Sequence, residues 1–255
     1  MMTESEQIKA DVDLRRWYHK IPITLPNGEE FFTPGWAPLS VESYRVETKY
    51  ITGARVLDLG SFDGFWAFRA WDMGASSVMA IDDFSDEVSL CDKFARDSKW
   101  SNFDLIRSLK QYSGSNITRA EMSVYDISRA SKPAGFNAIF AFGLLYHLKH
   151  PTYALERLLS VAEPDCRIFV ESAILDDINS PYTKKKHNKD GVYCELYPGA
   201  EYGNNPSNFS VPTLKGLAAW LEISGWEVEE TWKLTENPKS LAECRGFAKA
   251  IARGK

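Results

Sequence analysis

From Arg55 onward the chain alternates short apolar runs with stretches of helical periodicity, the sequence form of a parallel sheet covered by helices on both faces. Five runs are predicted as strands: Arg55 to Leu59, Ser77 to Ile81, Glu121 to Tyr125, Asn137 to Phe142 and Arg167 to Glu171. The helices between them are best marked by Ala67 to Asp72, Ser85 to Asp97 and Thr152 to Val161. Pro212 is placed in the first turn of a further helix, which carries Leu214, Leu217, Ala218 and Leu221 on one face and is ended by Gly225. Trp226 to Trp232 and Gly246 to Ala252 complete the prediction of an α/β fold with a Rossmann-like, seven-stranded, mostly parallel sheet.

Two segments stand outside this rhythm. Residues 1–50 begin polar, then alternate through Ile21-Pro22-Ile23-Thr24-Leu25, turn at Pro26-Asn27-Gly28 and return through Phe31-Phe32-Thr33, which predicts a hairpin. A rigid loop, Thr33 to Pro38, and a helix over Val41 to Tyr50 are expected to follow, so that residues 1–50 form an N-terminal extension and lid on a domain of residues 51–255. The second departure, about residues 173–211, is an insertion after the fifth strand, rich in Tyr, Asn, Pro and Gly. A polar segment of that length inside a compact domain reads as a functional lid rather than a connector.

The composition is that of a globular chain, 44% apolar and 25% charged, with a net charge of −5 that excludes a global basic field for nucleic acid. The four cysteines, Cys91, Cys166, Cys194 and Cys244, have neither zinc-site nor disulfide-framework spacing, so no metal is expected and the thiols read as reduced. The N-terminus lacks the apolar core of a signal peptide and no run is long enough to span a bilayer, so the protein reads as cytoplasmic with no membrane partner.

The chemistry concentrates where strands end. Val56-Leu57-Asp58-Leu59-Gly60-Ser61-Phe62-Asp63-Gly64 is a buried strand running into a glycine turn that opens a helix, at the carboxyl edge where open α/β sheets bind ligands. The D-x-G-x-x-x-G spacing departs from the dinucleotide fingerprint, and an acidic residue there repels phosphate. A carboxylate suits a cationic amino-acid headgroup instead, and the ligand that joins such a headgroup to a nucleoside is S-adenosylmethionine. Asp58, Gly60, Ser61, Phe62 and Gly64 are therefore candidates for its methionine end. Ile81-Asp82-Asp83 ends the next strand eighteen residues past Gly64, about where a ribose-binding acid belongs; Asp82 is preferred and Asp83 is its competitor. Asp126 and the Ile127 amide are candidates for adenine, with an ordinary turn as the competing reading.

The fourth strand runs on through Phe142-Gly143-Leu144-Leu145-Tyr146-His147-Leu148 to Pro151. Joined to the Asp58–Gly64 motif, this run resembles the class I methyltransferases grouped around the tRNA wobble-uridine carboxymethyltransferases. Trp17-Tyr18-His19-Lys20-Ile21, Thr33-Pro34-Gly35 and Asn208-Phe209-Ser210-Val211-Pro212 are similar to segments of the same group, so the resemblance covers roughly residues 17–252. It implies S-adenosylmethionine as cofactor, with Phe142 and Gly143 beside it. In carboxymethylating members a Lys, the Tyr of the Leu-Tyr-His run and a C-terminal Arg read an extra carboxylate on the cofactor. Lys20 and Tyr146 match, whereas Arg245 falls out of register with the Ile251-Ala252-Arg253 ending, so ordinary S-adenosylmethionine is expected.

His147 is the candidate general base, with packing at the strand end as the alternative; Tyr146 is a candidate orienting hydroxyl and His19 competes for the base role. Trp17, Lys20, Trp36, Asn208 and Phe209 are candidate walls of the acceptor pocket. A small-molecule acceptor fits the acidic balance, and tRNA, approached through Lys184-Lys185-Lys186, fits the resemblance. A binding module that has lost its chemistry is the reading from another class.

Overall fold

The computed structural model describes residues 2–38, 40–85, 100–128 and 135–253. Helix α1 (Glu4–Leu14) opens with a capping box between Thr3 and Glu6, and the hairpin β1 (Pro22–Thr24) and β2 (Glu30–Phe32) follows. The core then runs β3 (Arg55–Leu59), α2 (Phe65–Asp72), β4 (Ser77–Asp82), α3 (Ser101–Leu109), β5 (Ile117–Glu121) and β6 (Phe136–Phe142). After it come α4 (Pro151–Val161), β7 (Ala162–Ala173), β8 (Cys194–Leu196), β9 (Ser210–Pro212), α5 (Leu214–Ile223), β10 (Glu227–Lys233) and β11 (Arg245–Ile251). Seven strands form one sheet in the order β10-β11-β7-β6-β3-β4-β5, in which β11 alone runs antiparallel to its neighbours.

Alternation along the central strands decides what covers each face. Val56, Ala80, Ala138 and Phe140 point to the side packed by α2 and α3, where Phe68, Phe103 and Ile106 are buried. Leu57, Ile81, Ile139 and Ile168 point to the side covered by α4 and α5, against Leu155, Leu158, Leu217 and Leu221. Two apolar layers thus clamp β3, whose residues are all buried beyond Arg55.

Three sequence expectations shift. The strand placed at Glu121 to Tyr125 lies at Ile117–Glu121, and Val124–Asp126 is a 3-10 turn. β5 is a sheet edge that buries only Ile117, so its pattern carries no apolar run to reveal it. Val41 to Tyr50 forms two short 3-10 turns, Glu42–Tyr44 and Thr48–Tyr50, divided by Arg45 at φ +48°, which no α-helix accommodates. Pro212 ends β9 rather than opening a helix; Thr213 is the cap, its hydroxyl accepting from the Gly216 amide at 3.0 Å. Most of the expected helix Ser85 to Asp97 lies outside the described residues. Among the described residues no helix is long and apolar enough to cross a membrane.

Candidate active site

The carboxyl ends of β3, β4 and β6 open into a cavity of about 760 Å³, roofed on one side by the N-terminal segment and on another by the insertion between β7 and α5. The glycine turn forms its floor. Gly60 takes φ +61° and Phe62 φ +50°, so the backbone reverses at once after β3. Asp82, at the end of β4, holds this shape: its Oδ2 accepts from the Phe62 amide at 2.9 Å and its Oδ1 from the Phe84 amide at 2.7 Å. Gly64 serves packing instead, because a Cβ there would lie 2.5 Å from the Phe103 ring and 2.6 Å from that of Phe68.

Beneath the turn, Asp58 is buried with Oδ2 lacking a hydrogen-bond partner, and burial pushes its carboxyl up to about 7. Asp63, in the same turn, accepts from the His19 amide at 2.9 Å and meets His19 Nδ1 at 2.5 Å. The imidazole stacks on Phe65, at 5.0 Å between centroids and 13° between planes. His19 thereby ties the N-terminal segment to the glycine turn, and Gly35 lets the loop cross it: a Cβ at 35 would fall 2.2 Å from the His19 carbonyl oxygen.

Across the cavity, β6 passes through Gly143 into a 3-10 turn, Leu145–His147. His147 Nδ1 lies 3.0 Å from Ser207 Oγ and 3.2 Å from the Ser207 carbonyl oxygen, both on the insertion. The Tyr146 hydroxyl accepts from Arg245 Nη2 at 3.0 Å, and Arg245 Nε pairs with Glu171 Oε1 at 2.8 Å. Pairing of Arg245 with Ala173 across β11 and β7 sets that contact, so Arg245 does reach Tyr146 despite the expectation from its spacing. Burial pushes the Glu171 carboxyl up while Arg245 pulls it back. Burial likewise raises the hydroxyls of Tyr18, Tyr44 and Tyr202 around this pair above the ordinary phenol range, so all three are neutral donors.

Of the residues singled out in the sequence, His19, Trp36, Gly60, Phe62, Asp82, Asp83, Phe142, Gly143, Tyr146, His147, Asn208 and Phe209 line the cavity. Asp58, Ser61 and Gly64 lie beneath its floor rather than in its wall. Asp126 and Ile127 are not in the wall either; the 3-10 turn presents Val124 and Tyr125 there, and Ile127 is fully buried. Trp17 is fixed in the core with Nε1 donating to the Val12 carbonyl at 2.9 Å, and Lys20 points to the exposed ring of Phe32. Tyr18, Tyr44, Glu171, Tyr202 and Ser207, none of them a candidate from the sequence, also line the cavity, as does Arg245, which its spacing had put out of register.

The family described as a methyltransferase domain matches residues 39–231, most of the chain. The chain belongs to the methyltransferase-domain family. Class I methyltransferases use S-adenosylmethionine; in this chain the glycine turn and Asp82 stand at the carboxyl ends of β3 and β4, the edge where open α/β sheets bind ligands. The tRNA U34 carboxymethyltransferase of Proteus mirabilis is 27% identical over 195 residues, which are 76% of this chain and 51% of that protein. Its counterpart in Chromohalobacter salexigens is 25% identical over 251 residues, 96% of this chain and 65% of that one. This methyltransferase thus spans between about half and two thirds of the length of these curated relatives. Among solved structures, the 1,6-didemethyltoxoflavin-N1-methyltransferase of Burkholderia thailandensis superposes with a TM-score of 0.57 at 16% identity, over 84% of this chain and 78% of that one. The N-terminal domain of EvdMO1 with SAH and D-fucose gives 0.60 at 18% identity, over 100% and 98%. At these identities the two structures speak for the fold.

Proposed function

We propose that this methyltransferase acts on a neutral small-molecule acceptor carrying a protic nucleophile, with residues 1–50 and the insertion serving as lids on the 51–255 domain. The observation that carries the reading is the polarity of the cavity on the His147 side. The Arg245 guanidinium, partly buried, is already paired with Glu171, so an anionic acceptor gains little there. Tyr202 and Asn208 line the cavity, a neutral phenol and a carboxamide that suit an uncharged polar acceptor rather than an ion. Tyr18, Trp36 and Phe209 supply aromatic walls for a flat apolar body.

The fit to the cofactor rests on the turn. Gly60 opens the backbone without a side chain, Asp82 and Asp83 present carboxylates to the cavity, and Leu59, Ile81 and Val124 give an apolar bed. When bound, S-adenosylmethionine supplies an electrophilic methyl group. The chain's own part is to align the acceptor, exclude water beneath its two lids, and take the acceptor's proton at His147. Glu171 also speaks for the ordinary cofactor: it already occupies the guanidinium that a carboxylated form would need, and Lys20 stands away.

A second reading, tRNA as acceptor, is favoured by the named relatives and by the Tyr146–Arg245 contact. Lys149, which covers the Phe209 ring at 5.2 Å, is the one lysine of the cavity wall among the described residues. A panel of hydroxylated aromatic compounds and bulk tRNA, assayed with methyl-labelled S-adenosylmethionine, separates the readings. Transfer to a small compound is expected, falling by about 10²–10⁴ in His147→Ala with affinity for S-adenosylhomocysteine retained. Labelling of tRNA alone, with binding that weakens steeply as salt rises, would refute the proposal.

A further inference from the structure

His147 has two acceptor atoms beside one ring nitrogen. The Ser207 carbonyl oxygen, 3.2 Å from Nδ1, is an acceptor in every state of the protein. The Ser207 hydroxyl, 3.0 Å from Nδ1, is committed elsewhere as a donor, since it donates to Asn205 Oδ1 at 2.8 Å. Asn205 is itself fixed in orientation, because the same Oδ1 also accepts from the Ser207 amide at 2.9 Å. An unprotonated Nδ1 would therefore face two lone pairs, and a protonated one satisfies both.

We infer that Ser207, oriented by Asn205, is a positioning residue that holds neutral His147 in the Nδ1–H tautomer, leaving Nε2 as the ring's proton acceptor. The inference rests on the reading of His147 as the base and deepens it. Free imidazole side chains favour the opposite tautomer, with hydrogen on Nε2, whose basic nitrogen would be turned toward the insertion. Correct protonation of the base thus depends on a segment about sixty residues downstream in sequence, the contact spanning 60 positions. Insertion and base are coupled: a displaced insertion gives a base of the wrong tautomer as well as an open cavity.

The test reads the tautomer directly, on the full chain with ¹⁵N-labelled histidine, above the pH at which the ring titrates. Long-range ¹H–¹⁵N correlation distinguishes the two forms, and loss of one of the four histidine signals in His147→Gln assigns it. The parent is expected to show Nδ1–H. Ser207→Ala keeps the carbonyl acceptor but loses the hydroxyl, so its tautomer ratio should move toward Nε2–H by a factor of roughly three to ten. Ser207→Thr, which restores a hydroxyl, should return it. An Nε2–H tautomer in the parent, or an unchanged ratio in Ser207→Ala, overturns the inference. Affinity for S-adenosylhomocysteine, expected to be unchanged in Ser207→Ala, verifies that the variant is folded; should it not fold, the parent spectrum alone still decides. If His147→Gln keeps full turnover while the parent shows Nδ1–H, the base assignment falls and the positioning stands.

Discussion

Replacing Asp82 by alanine separates two kinds of work done by one carboxylate. In the structure its oxygens accept the backbone amides of Phe62 at 2.9 Å and Phe84 at 2.7 Å, and the residue lines the cavity. A ribose hydroxyl donating to this carboxylate, the contact proposed for Asp82, would be worth roughly 1.5–3 kcal/mol, so its loss alone should weaken S-adenosylhomocysteine binding by about ten- to a hundredfold. The amide contacts add to this. Phe62 sits at φ +50°, a conformation that costs a non-glycine residue about 1–2 kcal/mol, and without Asp82 the turn is free to relax away from it. Asp82→Ala should therefore also melt several degrees lower, at about 2–4 °C per kcal/mol for a chain of this size, whereas Asp82→Asn, with one acceptor oxygen left, should fall between. Titration calorimetry with S-adenosylhomocysteine and thermal melting measure the two effects separately. Asp83, exposed and capping the Ser85 amide at 3.0 Å, is the control. Parental affinity in Asp82→Ala, or a loss confined to Asp83→Ala, would sink the assignment.

Asp58 gives a prediction whose sign follows from proton linkage. Its folded pKa, about 7, lies above its ordinary value, so the folded chain holds a proton that the unfolded chain releases, and stability falls as pH rises from the ordinary carboxylate range to about 7. Asp58→Asn cannot ionise, and its melting temperature relative to the parent should rise between about pH 5 and pH 8; a flat difference would contradict the assignment. Gly35→Ala places a methyl 2.2 Å from the His19 carbonyl oxygen and should cost about 1–3 kcal/mol or more, with faster proteolysis within residues 1–38. Gly28→Ala, in open space at φ +83°, carries only the backbone strain and should leave that region protected; equal sensitivity of the two variants would count against the His19 tie.

Local periodicity was enough for the middle of the sheet. β3, β4 and β6 lie within one residue of where their apolar runs place them, since strands buried on both faces advertise themselves. The half-exposed edge strand β5 does not, and the apolar residues after it were read as the strand itself. The seven-stranded sheet and the family were legible because the glycine turn is contiguous in sequence. The walls of the cavity were not, because they are made by contacts across long separations. Asp63 finds His19 at 44 positions, and Arg245 finds Tyr146 at 99. Spacing arithmetic at the C-terminus placed Arg245 out of reach, whereas the antiparallel register of β11 on β7 brings it in.

That same strand order decides where the molecule can be cut. An excised fragment bounded by the family match, residues 39–231, would keep most of β10 yet lose β11, which lies between β10 and β7 and is the strand that β10 pairs with. It would also strip His19 from Asp63 and Arg245 from Glu171, abandoning two buried carboxylates; rupture of the ion pair with Arg245 alone costs about 3–5 kcal/mol. The recurring module is thus smaller than the unit able to stand alone. Chimeras or minimised versions of this enzyme need both flanks, residues 17–38 and 232–252, carried along as part of the graft.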